Sequence, residues 1–317
     1  MNIGIDILGG DFTPDSIIKG VILVQEHIGK DTDLFLFGPE DIVRSKLIEN
    51  GSNPEYFKIV HCSETINMGD DPVKSFTEKT NSGIFKGFEY LKDNRIQGFA
   101  SAGNTGAMMV GATKITSLIE GLLRPCISSY YPNNAGSKNL VLDVGLNADA
   151  KPENILQYAI LGNLYAKHIM GIAEPKIGLL NIGQEKSKGN TNAKLSHLLL
   201  ENSDDLNFIG NVEGGDIYKA NFVDVVVTDG FTGNIVLKQA ESFYHILAER
   251  NIKDSYFDNY NYENYGGTPV LGINKTVVVG HGKSNDIAIK NMILLTCNIA
   301  KSQFMEKITK AFKYDTN

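Results

Sequence analysis

Five polar, glycine-rich loops each follow a short β-branched run, and their residue types suit the binding of an anion. They are Asp6-Ile7-Leu8-Gly9-Gly10-Asp11, Ser101-Ala102-Gly103-Asn104-Thr105-Gly106, Asp143-Val144-Gly145-Leu146-Asn147, Asp229-Gly230-Phe231-Thr232-Gly233-Asn234 and Gly280-His281-Gly282-Lys283-Ser284-Asn285. Glycine allows close backbone approach, and Ser, Thr, Asn and Asp supply small hydrogen-bonding groups. A phosphate or polyphosphate site needs both. In a parallel sheet such loops all leave from the carboxyl ends of the strands. Glycine and Asx residues also favour plain turns, so the inference rests on five loops rather than one.

A sixth segment adds charge. Gly183-Gln184-Glu185-Lys186-Ser187-Lys188-Gly189-Asn190-Thr191 lies between the apolar run Lys176–Leu180 and a helical run from Ala193 to Leu200. Asn190 or Thr191 can cap that helix, leaving its first N–H groups for an anion beside Lys186 and Lys188. The alternative is a capped helix with two solvated lysines. Asn211-Val212-Glu213-Gly214-Gly215-Asp216 brings two carboxylates and an amide, which suits acid/base work, a divalent metal or simply a capped turn. His281, between two glycines after a strand, can act as a base or donate to an oxyanion or phosphate, or bond a carbonyl structurally. The other five histidines have no partner motif and read as structural or surface residues. No GxSxG elbow or GxGxxG fingerprint occurs, which argues against a serine acyl-enzyme and weakens a nicotinamide reading.

The elements that must position these groups alternate. Strands are expected at Asn2–Asp6, Asp33–Phe37, Lys58–Cys62, Gly98–Ser101, Asn139–Val144, Lys176–Ile182, Asn207–Gly210, Asp224–Thr228 and Thr276–Gly280. Helical stripes lie between them, such as Ile155, Leu156, Ala159, Ile160 and Leu164 after Pro152, and Val236, Ala240, Phe243, Tyr244 and Leu247. This order predicts an α/β protein with a mostly parallel sheet, read as a single domain over 1–317. Asn251–Asn264 has no regular period and carries Tyr256, Phe257, Tyr260 and Tyr262, so an ordered flap is expected there.

Composition sets the bounds. The 317 residues are 42% hydrophobic and 21% charged, an ordinary globular balance, and the 32 glycines exceed the roughly 7% usual frequency. A net charge of −7 argues against broad nucleic-acid binding. Cys62, Cys126 and Cys297 have neither disulfide nor zinc spacing. The start of the chain runs straight into a strand and no apolar run approaches ~18 residues, so a cytoplasmic protein is expected.

The motifs GGDFTP (Gly9–Pro14), SAGNTGAMM (Ser101–Met109), RPCI (Arg124–Ile127), DVGLN (Asp143–Asn147), GLLNIG (Gly178–Gly183), KGN (Lys188–Asn190), FIGNVEG (Phe208–Gly214), DVVVTDGFTGNIVLK (Asp224–Lys238), YGGTPVLG (Tyr265–Gly272) and HGKSN (His281–Asn285) occur in one order. In that order the chain resembles, over essentially its whole length, the PlsX-type phosphate acyltransferase family of bacterial phospholipid synthesis. The resemblance implies a three-layer αβα fold akin to isocitrate and isopropylmalate dehydrogenases. It also implies transfer of a fatty acyl group from acyl carrier protein to inorganic phosphate, giving acyl phosphate. A homodimer is implied, as is a downstream membrane glycerol-phosphate acyltransferase that consumes the product. Phosphate is an adequate nucleophile and a thioester an activated donor, so positioning and oxyanion stabilisation suffice without metal or redox cofactor. A short-chain phosphotransacetylase, a dehydrogenase of the same fold and a non-catalytic binding protein are the alternatives.

With that chemistry, Lys188, His281 and Asn234 are the catalytic candidates. The substrate-binding candidates are Gly9, Gly10, Asp11, Ser101, Gly103, Asn104, Thr105, Asp143, Asn147, Gly189, Asn190, Asn211, Glu213, Asp229, Gly230, Thr232, Gly233, Ser284 and Asn285. Asp229, Thr232 and Asn234 are expected to line one pocket with His281 and Asn285. Against the family pattern, Ile7-Leu8 replaces Ala-Met, Gln184 replaces Glu, Gly215 replaces Arg and Lys283 replaces Ser. The region 239–264 is also shorter than the family's basic hairpin. Asn251–Asn264 holds one lysine against two aspartates and one glutamate, so contact with anionic membranes is expected to be weak, carried only by Tyr256, Phe257 and Tyr260.

Overall fold

A computed structural model describes residues 1–314; the side chains of residues 262, 313 and 314 lie outside the description. In chain order the elements begin β1 (Asn2–Asp6), α1 (Asp15–Val24), β2 (Asp33–Gly38), α2 (Glu40–Glu49), β3 (Lys58–His61), α3 (Pro72–Glu78), α4 (Gly83–Lys92), β4 (Gly98–Ser101) and α5 (Thr105–Lys114). They continue with β5 (Cys126–Pro132), β6 (Lys138–Leu142), α6 (Pro152–Tyr165), β7 (Ile177–Leu180), α7 (Thr191–Glu201), β8 (Phe208–Val212), β9 (Val225–Val227) and α8 (Gly230–Glu249). The last are β10 (Thr268–Leu271), β11 (Thr276–Val279), α9 (Asp286–Lys301) and α10 (Phe304–Tyr314). The chain divides into two compact units, Met1–Leu118 with Tyr262–Met305, and Ile119–Asn261 with the described residues from Glu306 on.

In the first unit the strands pair in the order β3-β2-β1-β4-β11-β10, all parallel except the final antiparallel pair. Alternation along a strand sends successive side chains to opposite faces, and both faces carry helices. On one face Gly4 leaves room for Phe37 and Phe99, and the Phe99 ring packs edge-on to Phe88 of α4 at 5.3 Å. On the other, a side chain at Gly98 would meet Thr296 of α9, and α1 crosses α9 where Gly20 abuts Ile289. Fully buried Ile3, Ile5 and Ile289 fill that layer.

In the second unit the order is β5-β6-β9-β7-β8, with only β5 antiparallel. Val141 and Val226 face α8 in a cluster with Tyr131, Val212, Ile217 and Ala240. Leu142 and Val225 face α6, where Gly162 lets the helix sit against them. Each unit is therefore a helix–sheet–helix sandwich, the α/β architecture expected from the alternation of elements.

Three sequence expectations change. Strands β5 and β10 lie in stretches where none was expected. Each joins its neighbour antiparallel, and Pro132 and Pro269 break their β-branched pattern. Helix α6 is buried around most of its circumference, with Tyr158, Leu161 and Tyr165 inside and Leu156, Ile160 and Leu164 only half-buried. The aromatic segment packs on the second unit's core. Tyr260 is 9% exposed in the second unit's core, with Tyr256 and Phe257 packed beside it. Both tyrosine hydroxyls donate to the Pro132 carbonyl, at 3.3 and 3.2 Å. Two short 3₁₀ turns, Phe257–Tyr260 and Tyr262–Asn264, order the segment.

Candidate functional site

The first unit gathers the loops after β1, β4 and β11. The Asp11 N–H donates to the Gly282 carbonyl (2.8 Å) and the Gly280 N–H to that of Ser101 (2.8 Å). A Cβ on Gly9 would lie 2.6–2.7 Å from Asp6 Oδ2, Ser101 Oγ and Gly103 N, so only glycine permits this approach. Gly10 has φ +115°, a backbone state that side chains disfavour. The Gly9 and Gly10 N–H groups donate to no protein atom among the described residues. Gly103 N–H donates to Ser101 Oγ (3.0 Å), and Ser101 Oγ–H donates to Asp6 Oδ2 (2.7 Å).

Asn104 caps α5 by accepting from Ala107 N–H, while its Nδ2 donates to the carbonyls of Asn67, Met68 and Asp70. That fourth loop was not foreseen, because nothing in its composition marks it. Thr105 is exposed at the first turn of α5. Asn285 caps α9 through Ala288 N–H at 2.9 Å, and the buried Ser284 hydroxyl donates to the His281 carbonyl at 2.6 Å. His281 Nδ1 accepts from Lys283 N–H (3.2 Å), so in the neutral ring Nε2 carries the proton and is a donor.

The second unit gathers the loops after β6, β9, β7 and β8. The fully buried Asp143 carboxylate accepts four hydrogen bonds: Ile127 N–H (3.1 Å), Leu146 N–H (3.2 Å), Asn147 N–H (2.6 Å) and Asn147 Nδ2 (2.9 Å). Burial raises its pKa, and those bonds oppose the rise. Asn147 Nδ2 also donates to the Pro125 carbonyl, so both residues organise the loop's own backbone. A Cβ on Gly230 would meet the Asn147 backbone at 2.8 Å, and one on Gly233 would strike the Asp143 carbonyl oxygen. The Asp143 and Asp229 loops thus touch backbone to backbone. Asp229 caps α8 through Thr232 N–H (2.7 Å) and also accepts from the Thr232 hydroxyl. Exposed Asn234 donates one N–H to the Val144 carbonyl at 3.1 Å.

Asn192 Nδ2 donates to the Ala150 carbonyl (2.6 Å), tying the start of α7 to the Asp143 loop. Asn190, rather than Thr191, caps α7 through Ala193 N–H at 2.8 Å. Gly189, with φ +89°, packs on Asn181 and Ala193. Lys186 pairs with Glu201, whereas exposed Lys188 makes no ion pair among the described residues. Asn211 Oδ1 accepts from His197 Nδ1–H (2.9 Å), and its Nδ2 donates to the Glu185 carbonyl. Glu213 is exposed. For Asp216, burial would raise the pKa, but hydrogen bonds from Lys219, Glu213 N–H and Gln184 outweigh it and leave it lowered. Glu213 and Asp216 share one turn, in which Asp216 accepts from Glu213 N–H and pairs with Lys219. Among the described residues no group of three or more His, Cys, Asp or Glu could hold a metal.

Four helix starts in these clusters, α5, α7, α8 and α9, are capped by Asn104, Asn190, Asp229 and Asn285. A neutral amide cap satisfies an N–H without cancelling the positive end of the helix, whereas a carboxylate cap supplies the negative charge itself. The first, second and fourth therefore favour an incoming anion more than the third. Of the proposed shared lining, Asp229, Thr232 and Asn234 belong to one unit and His281 and Asn285 to the other.

The model of the family described as "Fatty acid synthesis protein" matches residues 1–307. A phosphate acyltransferase of Halothermothrix orenii is 37% identical, the alignment covering 100% of this chain and 99% of that protein. Another, of Caldicellulosiruptor saccharolyticus, is 38% identical, covering 99% and 97%. The chain belongs to the phosphate acyltransferase family, a family of acyltransferases. Among solved structures it resembles a phosphotransacetylase from Streptococcus pyogenes (TM-score 0.68, 18% identity, covering 95% of this chain and 94% of that one). It also resembles a 4-hydroxythreonine-4-phosphate dehydrogenase from Klebsiella pneumoniae (TM-score 0.56, 12% identity, covering 95% and 99%). At these identities the likeness shows the fold, which is the phosphotransacetylase- and dehydrogenase-related one expected of the family.

Proposed function

We propose that this chain transfers a fatty acyl group from the thioester of acyl carrier protein to inorganic phosphate, giving an acyl phosphate for phospholipid synthesis. Family membership supports acyl transfer, and the names of the relatives support phosphate as acceptor. The observation that carries the reading is Lys188, outside every ion pair of the described residues, beside the amide-capped start of α7. In the reaction a phosphate oxygen bonds to the thioester carbon and the carbonyl oxygen takes the electron pair. Collapse breaks the C–S bond, and the carrier thiolate leaves and is protonated.

Lys188, Gly189 and Asn190 hold the phosphate in this reading. The second N–H of Asn234, in the same unit as Lys188, is the donor assigned to developing negative charge. No cofactor is invoked. The remaining Gly-rich backbone, at Gly9, Gly10, Gly103, Gly230 and Gly233, lets loop N–H groups approach substrate closely. The reading includes a homodimer, tested by light scattering, and delivery of product to a membrane glycerol-phosphate acyltransferase. Among the described residues no helix is long and apolar enough to cross a membrane. With Tyr260 buried and Tyr256 and Phe257 packed beside it, anionic vesicles should pellet little protein; tight, salt-sensitive pelleting would overturn that.

The direct test is release of free carrier thiol from acyl–acyl carrier protein, dependent on phosphate. Asn190→Asp sharpens it. The cap is retained, since Asp and Asn cap about equally, but a negative charge enters the site. The phosphate KM should rise at least tenfold with an unchanged melting temperature. An unchanged phosphate KM would remove the start of α7 from the site.

A further inference from the structure

Asp6 ends β1, is 3% exposed, and belongs to no role assigned above. Its Oδ2 takes the only hydroxyl proton that Ser101 has. Ser101 Oγ then faces Gly103 N–H with lone pairs alone and accepts from it. The bond to Leu8 N–H, at 3.4 Å, orients the other oxygen. Gly9 lies against the same three groups, and a Cβ on Gly83 of α4 would strike Oδ1, so the carboxylate is held on two sides by glycine backbone.

We propose that Asp6 is a positioning residue of the candidate site: through Ser101 it fixes the Gly103 N–H and so holds the Gly9–Asp11 and Gly103–Gly106 loops at backbone contact. The proposal rests on those loops taking part in acyl transfer to phosphate. Ionised Asp6 is the form that can only accept, and it is therefore the form that sets the direction of the Ser101 hydroxyl. A protonated carboxyl can donate to Ser101 Oγ instead, which frees the hydroxyl to turn away from its role.

The neighbours leave this titration to Asp6. Burial first, and the Asp6 charge second, push the Cys62 thiol up to about 12, so it stays neutral across the working range. Glu64, which shares a small cleft with Asp6 and Cys62, accepts from Asn81 N–H at 2.8 Å. Lys86 of α4 pairs with Glu89. Burial raises the Asp6 carboxyl to about 6, against weaker lowering by the Ser101 and Leu8 bonds.

The experiment compares the full-length protein with Asp6→Asn, Ser101→Ala and the double variant. It measures phosphate-dependent thiol release between pH 5 and 8 and hydrogen exchange over residues 99–106. The expected result is a wild-type rate that falls as pH drops through about 6, and single variants at least tenfold slower with no such fall. Exchange at Gly103 should be at least tenfold faster in both, with a melting temperature at pH 7.5 no lower than wild type for Asp6→Asn. The double variant should be no worse than either single variant, because both break one relay. Additive losses, or Asp6→Asn with wild-type rate and Gly103 protection, would overturn the proposal. If the wild type releases no thiol at all, the acyl-transfer reading fails by itself, and the exchange at Gly103 still decides whether Asp6 positions the loop.

Discussion

Each unit carries a buried aspartate at or directly after a strand end, beneath glycine-rich loops, yet Asp6 and Asp143 are served differently. Asp143 accepts three backbone N–H groups and an amide, filling both oxygens. Asp6 accepts one hydroxyl and one long N–H contact. Both carboxyls are raised by burial, but donors counter the rise at Asp143 more fully. The difference teaches that donor count decides what a buried carboxylate does. Saturated, it is scaffold for the loop that surrounds it. Under-served, it keeps a protonation equilibrium near physiological pH and can couple that equilibrium to loop geometry.

The comparison can be broken most sharply where the second unit's two loops meet. Gly233→Ala puts a methyl into the Asp143 carbonyl oxygen, and neither backbone has room to yield. Loss of roughly 3–5 kcal/mol, or failure to fold, is expected in chemical denaturation. A mild effect would mean that the Asp143 loop is not the rigid scaffold described above. Next comes Asp143→Asn, which turns an acceptor oxygen into a donor facing N–H groups. A loss of about 3 kcal/mol is expected, because buried donors are left unsatisfied.

Asp6→Asn should have the opposite sign. Raising a carboxyl from 3.8 to about 6 on folding means that its ionised form costs the folded state stability. The favourable contribution of the neutral form is complete below the unfolded value and is lost as pH rises through about 6. That gap corresponds to at most about 3 kcal/mol, from which ~1 kcal/mol of hydrogen bonding is lost in the variant. Asp6→Asn should therefore be more stable than wild type by about 1–2 kcal/mol at pH 7.5, with the gain gone near pH 3.5. Smallest of all is Lys188→Ala, expected to change stability by less than ~0.5 kcal/mol because the side chain is exposed and outside every ion pair. Its effect should fall on the phosphate KM, and an unchanged KM would take Lys188 out of the site.

Much of the scaffold was legible because parallel, two-side-buried strands are written as β-branched runs. Val225–Val227 and Thr276–Val279 lie within expected strands to a residue or so. The loops that carry hydrogen-bonding side chains also fall where glycine and Asx residues announced them, and Asn190 caps α7 as that spacing allowed. The work of Asp6, Asp143 and Asn147 was not legible. Whether such a residue faces substrate or its own backbone depends on which loop arrives beside it, and strand order decides that. The Asn104 contacts to Asn67, Met68 and Asp70 were hidden for the same reason: carbonyl acceptors have no sequence signature.

The docked aromatic segment has a consequence for engineering. Helix α8, twenty residues and about 30 Å long, is seated on the core by Ala240, and Tyr256 and Tyr260 are fastened to Pro132. Between those fastenings the five residues Asn251–Ser255 are all exposed. A tether held at both ends tolerates changes in length, since doubling it costs only about 0.6 kcal/mol of closure entropy. Asn251–Ser255 is therefore a natural splice point, where a longer module can be grafted or exchanged while both loop clusters keep their geometry.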